Sequence, residues 1–203
     1  PVARLTGYQI MEGELVLSMQ QTTFKEYVGL QTDADRAIFG QDWLANPLSV
    51  SLAVKTADNQ WLLTKKMRGD RIGSIDAIGG YVNPEKDVHD PTKTAEREWR
   101  EETGAQPEEI ASLTILGLCY EHKDLNHPVL NCFVQSRLTT DKHLVIAPRS
   151  SDGEVLLLPA EDPLQRLAPR APAHRVRIAL CDGRGQGAGQ IHADAGAAET
   201  PED

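Results

Sequence analysis

At 203 residues the chain has room for one domain with appendages, because domains cluster near about 100–150 residues. A formal net charge of −9 argues against a nucleic-acid surface, which needs clustered Lys and Arg, and the longest apolar runs fall far short of the roughly 20 residues that cross a membrane. Cys119, Cys132 and Cys181 form no C-x-x-C pair, so neither a disulfide framework nor a cysteine zinc site is expected, and a reducing, cytoplasmic setting fits.

Residues 1–45 read as an N-terminal extension or lobe. Its strand-like start, "GYQIMEGELVLSM", gives way to a helix-like polar segment around "TTFKEYVGLQTDADRAIFGQDWLA". The N-terminal residues lack a basic segment followed by an apolar run, so no export signal is expected. After Asn46-Pro47, "LSVSLAVKTADNQWLLTKK" predicts a hairpin turning at Ala57-Asp58-Asn59-Gln60. "SIDAIGG" is a short strand ending in Gly79-Gly80. A loop rich in Asn, Pro and Asp follows, and Asp90-Pro91 supplies a helix cap and a first-turn proline, with Gly104 as the stop. "SLTILGLCYEH" and "PVLNCFVQSRL" read as strands on either side of "KDLN". "EVLLLP" is a last strand before a short helix, "AEDPLQRL". This order, three strands, a helix, three strands and a helix, predicts a mixed α/β sandwich.

From Pro169 onward the composition shifts to Arg, Pro, Ala and Gly, and large apolar residues become scarce, which predicts a flexible Gly/Ala-rich acidic tail over 169–203. The alternating Gly183, Gly185, Gly187 and Gly189 have no strand before them and no Lys-Ser/Thr after them, so a nucleotide loop is not expected.

The helix expected after Asp90 carries the densest chemistry. Positions three and four apart share a helix face, so Glu98, Glu101 and Glu102 project within an arc of roughly 100°. Crowded carboxylates repel unless cations intervene, and hard oxygen donors suit Mg²⁺ or Mn²⁺. The competing reading is a solvated face, since Glu96–Arg100 and Arg97–Glu101 are i,i+4 pairs.

A strand ending in Gly79-Gly80, a loop and then "REWREETGA" resemble the Nudix (MutT-like) hydrolase signature, G-x5-E-x7-R-E-U-x-E-E-x-G-U, with U an apolar residue. The helical half matches at Arg97, Glu98, Trp99, Glu101, Glu102, Gly104 and Ala105. The resemblance covers a domain over 46–168 and implies a Nudix-type mixed β-sheet sandwiched between helices. One departure stands out: the loop from Gly80 to Arg97 is three residues longer than the pattern. The first Glu of the pattern, which positions the loop and its Arg, is therefore unassigned, with Glu85 and Asp87 both available.

The resemblance implies a Mg²⁺- or Mn²⁺-dependent pyrophosphatase acting on a small-molecule nucleoside diphosphate linked to another group. Glu98, Glu101 and Glu102, with the carbonyl of Gly80, would hold the metal, and Arg97 would orient a glutamate. Glu98 is the first choice of general base, with Glu121 or Glu154 as alternatives. Lys66, Arg68 and Arg71, in "TKKMRGDRIG", are candidates for substrate phosphate. The lengthened loop and the segment around it resemble the Nudix enzymes that cleave UDP-glucose and UDP-galactose to UMP and sugar 1-phosphate; an ADP-ribose pyrophosphatase is an alternative. A third reading is a catalytically silent Nudix-fold nucleotide-binding or regulatory module, against which the three intact carboxylates count. Zinc at Glu121, His122, Asp124 and His127 is not expected, because their spacing matches no common site. Trp99 and Ala95, four apart, predict the core face of the helix.

Overall fold

The computed structural model describes residues 1–12, 14–29, 33–40, 44–67, 72–121, 127–146, 153–158, 175–181 and 187–193. Strands β1 (Val2–Met11) and β2 (Glu14–Thr22) form an antiparallel hairpin, followed by short helices α1 (Phe24–Gly29) and α2 (Asp33–Phe39). Strands β3 (Ser49–Lys55) and β4 (Trp61–Lys66) make the expected second hairpin, with Thr56 and Gln60 bonded across the turn and Asn59 in the left-handed region. The short β5 (Ile75–Asp76) and β6 (Ile78–Tyr81) lead to α3 (Pro91–Thr103), and then come β7 (Ile110–Glu121), β8 (His127–Ser136), α4 (Thr140–Ile146) and β9 (Gly153–Leu158).

The larger sheet runs β5-β4-β3-β8-β7, with β6 paired to β3 and β9 paired to β4. Strands β3 and β8 are parallel, while the other pairings are antiparallel. Alternation along β3 sends Leu48, Val50, Leu52 and Val54 to one face, all at most 2% exposed, and Leu130, Cys132 and Val134 of β8 join them. Helix α3 lays Ala95 and Trp99 on that face, as expected, and both are fully buried. The opposite face, at Ser49, Tyr81 and His127, receives α1: the Tyr27 hydroxyl meets His127 Nδ1 at 3.1 Å, and its ring stands edge-on to Tyr81. The sheet thus lies between helices, in a mixed α/β fold.

Two differences from the sequence expectation concern element content. Helix α4 was not anticipated. It is one short turn pair with exposed Leu144 and Val145, so it shows no amphipathic period; it forms because His143 docks edge-on against Trp99 and its backbone closes onto Thr139. The segment read as a flexible tail supplies β10 (Arg175–Cys181) and β11 (Gly187–Ala193). Strand β10 runs parallel to β2 and β11 pairs with β10, giving a second sheet β1-β2-β10-β11. In "RVRIALC" the large apolar Val176, Ile178 and Leu180 recur at a period of two, a strand signal that a composition average over 169–203 conceals. The helix expected at "AEDPLQRL" lies outside the described residues.

The N-terminal hairpin shares its interior with the larger sheet: Ala3, Leu5, Leu17 and Met19 belong to the same buried cluster as Val50 and Trp99. The main chain of Ala3 is bonded to both Val82 and Leu48, which ties β1 to the segment following β6.

Candidate active site

Helix α3 begins where the sequence places it. The Asp90 carboxylate accepts from the Thr92 amide at 2.8 Å and from its hydroxyl at 2.7 Å, and Pro91 fills the first helical position, where no N–H is needed. Gly104, at φ 75°, closes the helix in the left-handed region that costs a side chain most.

Arg97 is the hub of the site. Its Nε donates to Asp87 Oδ1 at 2.9 Å, and Nη2 donates to Asp87 Oδ2 at 3.0 Å and to the Tyr81 carbonyl at 3.1 Å. Nη1 donates to Glu98 Oε1 at 2.5 Å and to Glu101 Oε2 at 3.2 Å. All five guanidinium N–H groups are thereby used, in the forked geometry a lysine cannot supply. The paired Asp87 carboxylate pushes the Arg97 pKa further up.

Asp87, not Glu85, is the acid that meets Arg97. It is 2% exposed and also accepts from the Asn83 amide at 2.9 Å and the Thr94 hydroxyl at 2.7 Å, whereas Glu85 is exposed. Burial works to raise the Asp87 carboxyl, yet Arg97, the Asn83 amide and the Thr94 hydroxyl outweigh it and hold the group below the ordinary carboxylate range. The three extra loop residues are absorbed by a compact turn. Asn83 Oδ1 caps the amides of Glu85 and Lys86, and Val88 and His89 both take positive φ, which reverses the chain into Asp90.

The three helix carboxylates do not share one environment. Glu98 is buried at 8% exposure against β6, where a Cβ on Gly80 would run into its carboxylate and displace it from this position. Burial raises the Glu98 pKa, opposed by Arg97. Glu102 is pushed up to about 7, first by burial and then by the charge of Glu98, while the nearby Gly79 amide and Thr64 hydroxyl pull the other way. Glu101 is exposed and turned to Arg97. Among the described residues, no group of three His, Cys, Asp or Glu side chains already converges as a cation cage. The donors nevertheless fit a hard divalent cation: two carboxylates one helical turn apart are both raised by burial, Glu102 also by the charge of Glu98, and a glycine backbone stands against one of them.

Gly79 is also constrained, since a Cβ there would strike the Val50 carbonyl across the β3–β6 pair. Lys66 stands 3.6 Å from Asp76, whose charge also acts on Glu102, so this lysine borders the carboxylates. Arg68 and Arg71 lie outside the described residues, as do the side chains of Glu121 and Glu154. His122 and Asp124 of the unexpected zinc set are likewise outside them, and His127 is buried between Tyr27 and Ser49, with Nε2 at 3.1 Å from Ser49 Oγ. Glu96, the helix carboxylate not assigned to the site, pairs with Lys93 at 2.8 Å. Thr64, Gly79 and Asp76 had no sequence signal as site residues, because they approach Glu102 from separate strands.

No family model matches the chain, and no curated protein matches its sequence. Solved structures resemble its fold at low identity. The NUDIX domain of Shewanella oneidensis NrtR complexed with ADP ribose is 17% identical, with 66% of this chain and 87% of that chain covered and a TM-score of 0.48. A MutT protein from Methanosarcina mazei Go1 is 20% identical, covering 59% and 80% at a TM-score of 0.44. An Ap4A hydrolase binary complex from C. elegans is 17% identical, covering 58% and 83% at 0.43. These are likenesses over part of this chain, 58% to 66% of it.

Proposed function

We propose that the protein is a hydrolase of phosphorus anhydrides, a Nudix pyrophosphatase that cleaves the diphosphate bond of a nucleoside diphosphate linked to another group. The observation that carries this reading is the Arg97 hub, which fixes Glu98 against Gly80 while Glu102 stands one turn away. A solvated charged face would leave its carboxylates in water; here Glu98 is buried. Glu98 and Glu102, with Gly80 and with Glu101 at the rim, would hold Mg²⁺ or Mn²⁺, and such a cation would supply charge neutralisation at the phosphate oxygens and a more acidic water.

The chain's own groups then have distinct tasks. Arg97 keeps the Glu98 carboxylate oriented through a charge-assisted bond, and Asp87 keeps Arg97 in place. A carboxylate raised by burial is a better proton acceptor near neutrality, which suits Glu98 as general base toward water. Lys66, with Arg68 and Arg71, would meet substrate phosphate. A UDP-sugar is the first substrate of choice, on the lengthened loop and the strands around it, with ADP-ribose next. The domain limits at 45 and 168 and a cytoplasmic setting belong to the same reading; Cys119 and Cys132 are free thiols, and among the described residues no helix is long and apolar enough to cross a membrane.

The test is a panel of UDP-sugars, ADP-ribose, dinucleoside polyphosphates and NTPs with Mg²⁺, read as released phosphate monoesters. A UDP-sugar yielding UMP and sugar 1-phosphate is the expected result. Binding without release from any compound would instead identify the silent regulatory module.

A further inference from the structure

We infer that Tyr81 is a positioning residue for the site: clamped among the rings of Phe24, Tyr27 and His127, it holds the Gly79-Gly80 segment so that its own carbonyl meets Arg97 and Gly80 lies against Glu98. The inference rests on the pyrophosphatase reading and extends it to helix α1, to which that reading gives no task. Strand β6 is Ile78-Gly79-Gly80-Tyr81. Its register against β3 sets Ile78 and Gly80 opposite Leu52 and Val50, on the face that α3 covers, and Gly79 and Tyr81 opposite Ser51 and Ser49, on the other. Two glycines in a row offer no side chain to pack and have the widest backbone freedom of any residue. On the α1 face, β6 can therefore be anchored only through the side chain of Tyr81.

That anchor is built from rings. The Tyr81 ring centroid lies 5.7 Å from that of Phe24, 5.7 Å from that of Tyr27 and 5.5 Å from that of His127, tilted or edge-on in each case, which is the separation and attitude at which aromatic pairs attract. Tyr27 is also 5.7 Å from Phe24 and 5.8 Å from His127, so Tyr27 and Tyr81 each meet the other three rings. Polar bonds fix the cluster in turn. The Tyr27 hydroxyl meets His127 Nδ1 at 3.1 Å, and His127 Nε2 meets the hydroxyl of Ser49, the residue opposite Tyr81 in the ladder, at 3.1 Å. Tyr27 and His127 are both buried, which shields these bonds from water. From Tyr81 the main chain passes directly to the site: its carbonyl accepts from Arg97 Nη2 at 3.1 Å, and the preceding Gly80 lies where a Cβ would meet the Glu98 carboxylate. A shift of Tyr81 therefore moves both contacts. Groups that hold metal-binding residues in orientation are worth roughly 10- to 100-fold in metal affinity or activity.

The experiment takes two readings on the full chain: hydrogen exchange at the Arg97 guanidinium, followed by NMR on metal-free protein with isotope-labelled arginine and assigned with Arg97→Lys, and affinity for Mn²⁺ alone by calorimetry. Tyr81→Leu keeps an apolar side chain but removes the ring. It should speed exchange at Arg97 Nη2 and weaken Mn²⁺ binding roughly 10-fold, while Tyr81→Phe, which retains the ring, should stay near the parent in both. Phe24→Leu acts from the exposed side of the cluster, so it demands less of folding, and it should move both readings in the same direction by a smaller amount. Phe133→Leu is the control for stability alone, since it breaks a ring pair with Trp61 at 6.2 Å elsewhere on the sheet; it should lower the urea midpoint and leave both readings unchanged. Arg97 exchange unaltered in Tyr81→Leu and Phe24→Leu would overturn the inference, as would equal losses for Tyr81→Phe and Tyr81→Leu or changes matched by Phe133→Leu. A parent protein that binds no Mn²⁺ would bring down the pyrophosphatase reading, whereas the exchange reading needs no metal and decides the clamp separately.

Discussion

Asp87 shows how a single buried carboxylate can organise a site it does not enter. Asp87→Asn removes the charge facing two donors of Arg97 and should cost about 1.5–3 kcal/mol, the range for hydrogen bonds to charged groups, read by urea denaturation at neutral pH. Because its pKa is depressed in the folded protein, Asp87 contributes stability that is present above the unfolded carboxylate value of about 3.9. That contribution is lost as pH falls through the lower folded value. The gap between parent and Asp87→Asn should therefore be full at neutral pH and close in strong acid; a gap independent of pH would refute the ion pair as its source. Glu102→Gln removes one charge from the proposed cation pair, so turnover should fall roughly 10²- to 10⁴-fold. Metal-free stability should hold or rise, since Glu102 and Glu98 repel. Glu96→Gln is the control, because Glu96 is engaged with Lys93 and not with the site. Equal effects of the two substitutions on hydrolysis would return α3 to a solvated face.

At the scale of elements, α3 and β6 work as a unit. A helix side chain covers a main-chain group of β6: Arg97 binds the Tyr81 carbonyl, which covers part of a strand edge that would otherwise stay open. The helix must start at a fixed residue for this contact to register, and Asp90 sets that start. Asp90→Ala should cost about 1 kcal/mol, the usual loss for an N-cap, measurable as a lowered urea midpoint. Activity should fall less than with Glu102→Gln, since the catalytic side chains lie two turns further on. The opposite order of effects would mean that the cap is part of the chemistry.

The whole molecule is two sheets joined through one apolar interior, with the helix signature on the larger sheet and β10 and β11 extending the smaller. Among the described residues, strand β11 pairs with β10 alone. Deleting residues 184–203 removes it and should leave hydrolysis nearly unchanged in a turnover assay; a large loss would show that this segment reaches the site. Deleting 169–203 also strips β10 from β2 and uncovers the main-chain groups that β10 satisfies there. That variant should self-associate through the bare edge, as light scattering would detect.

What the sequence determined by itself was local in origin. Asp90-Pro91 and Gly104 bound α3 because capping and left-handed closure depend on neighbouring residues, and alternation in "LSVSLAV" marked β3 because side-chain direction in a strand repeats every two residues. The helical spacing of Glu98, Glu101 and Glu102 put three carboxylates on one arc. The tertiary structure decided which of them are buried, since that depends on β6 packing its glycines under the helix. It chose Asp87 over Glu85, because two acids two residues apart in a loop are told apart only by the path of that loop. It also brought Thr64 near Glu102 and β10 to β2. Those neighbours are far apart along the chain, and no spacing rule reaches across the pairings that join them.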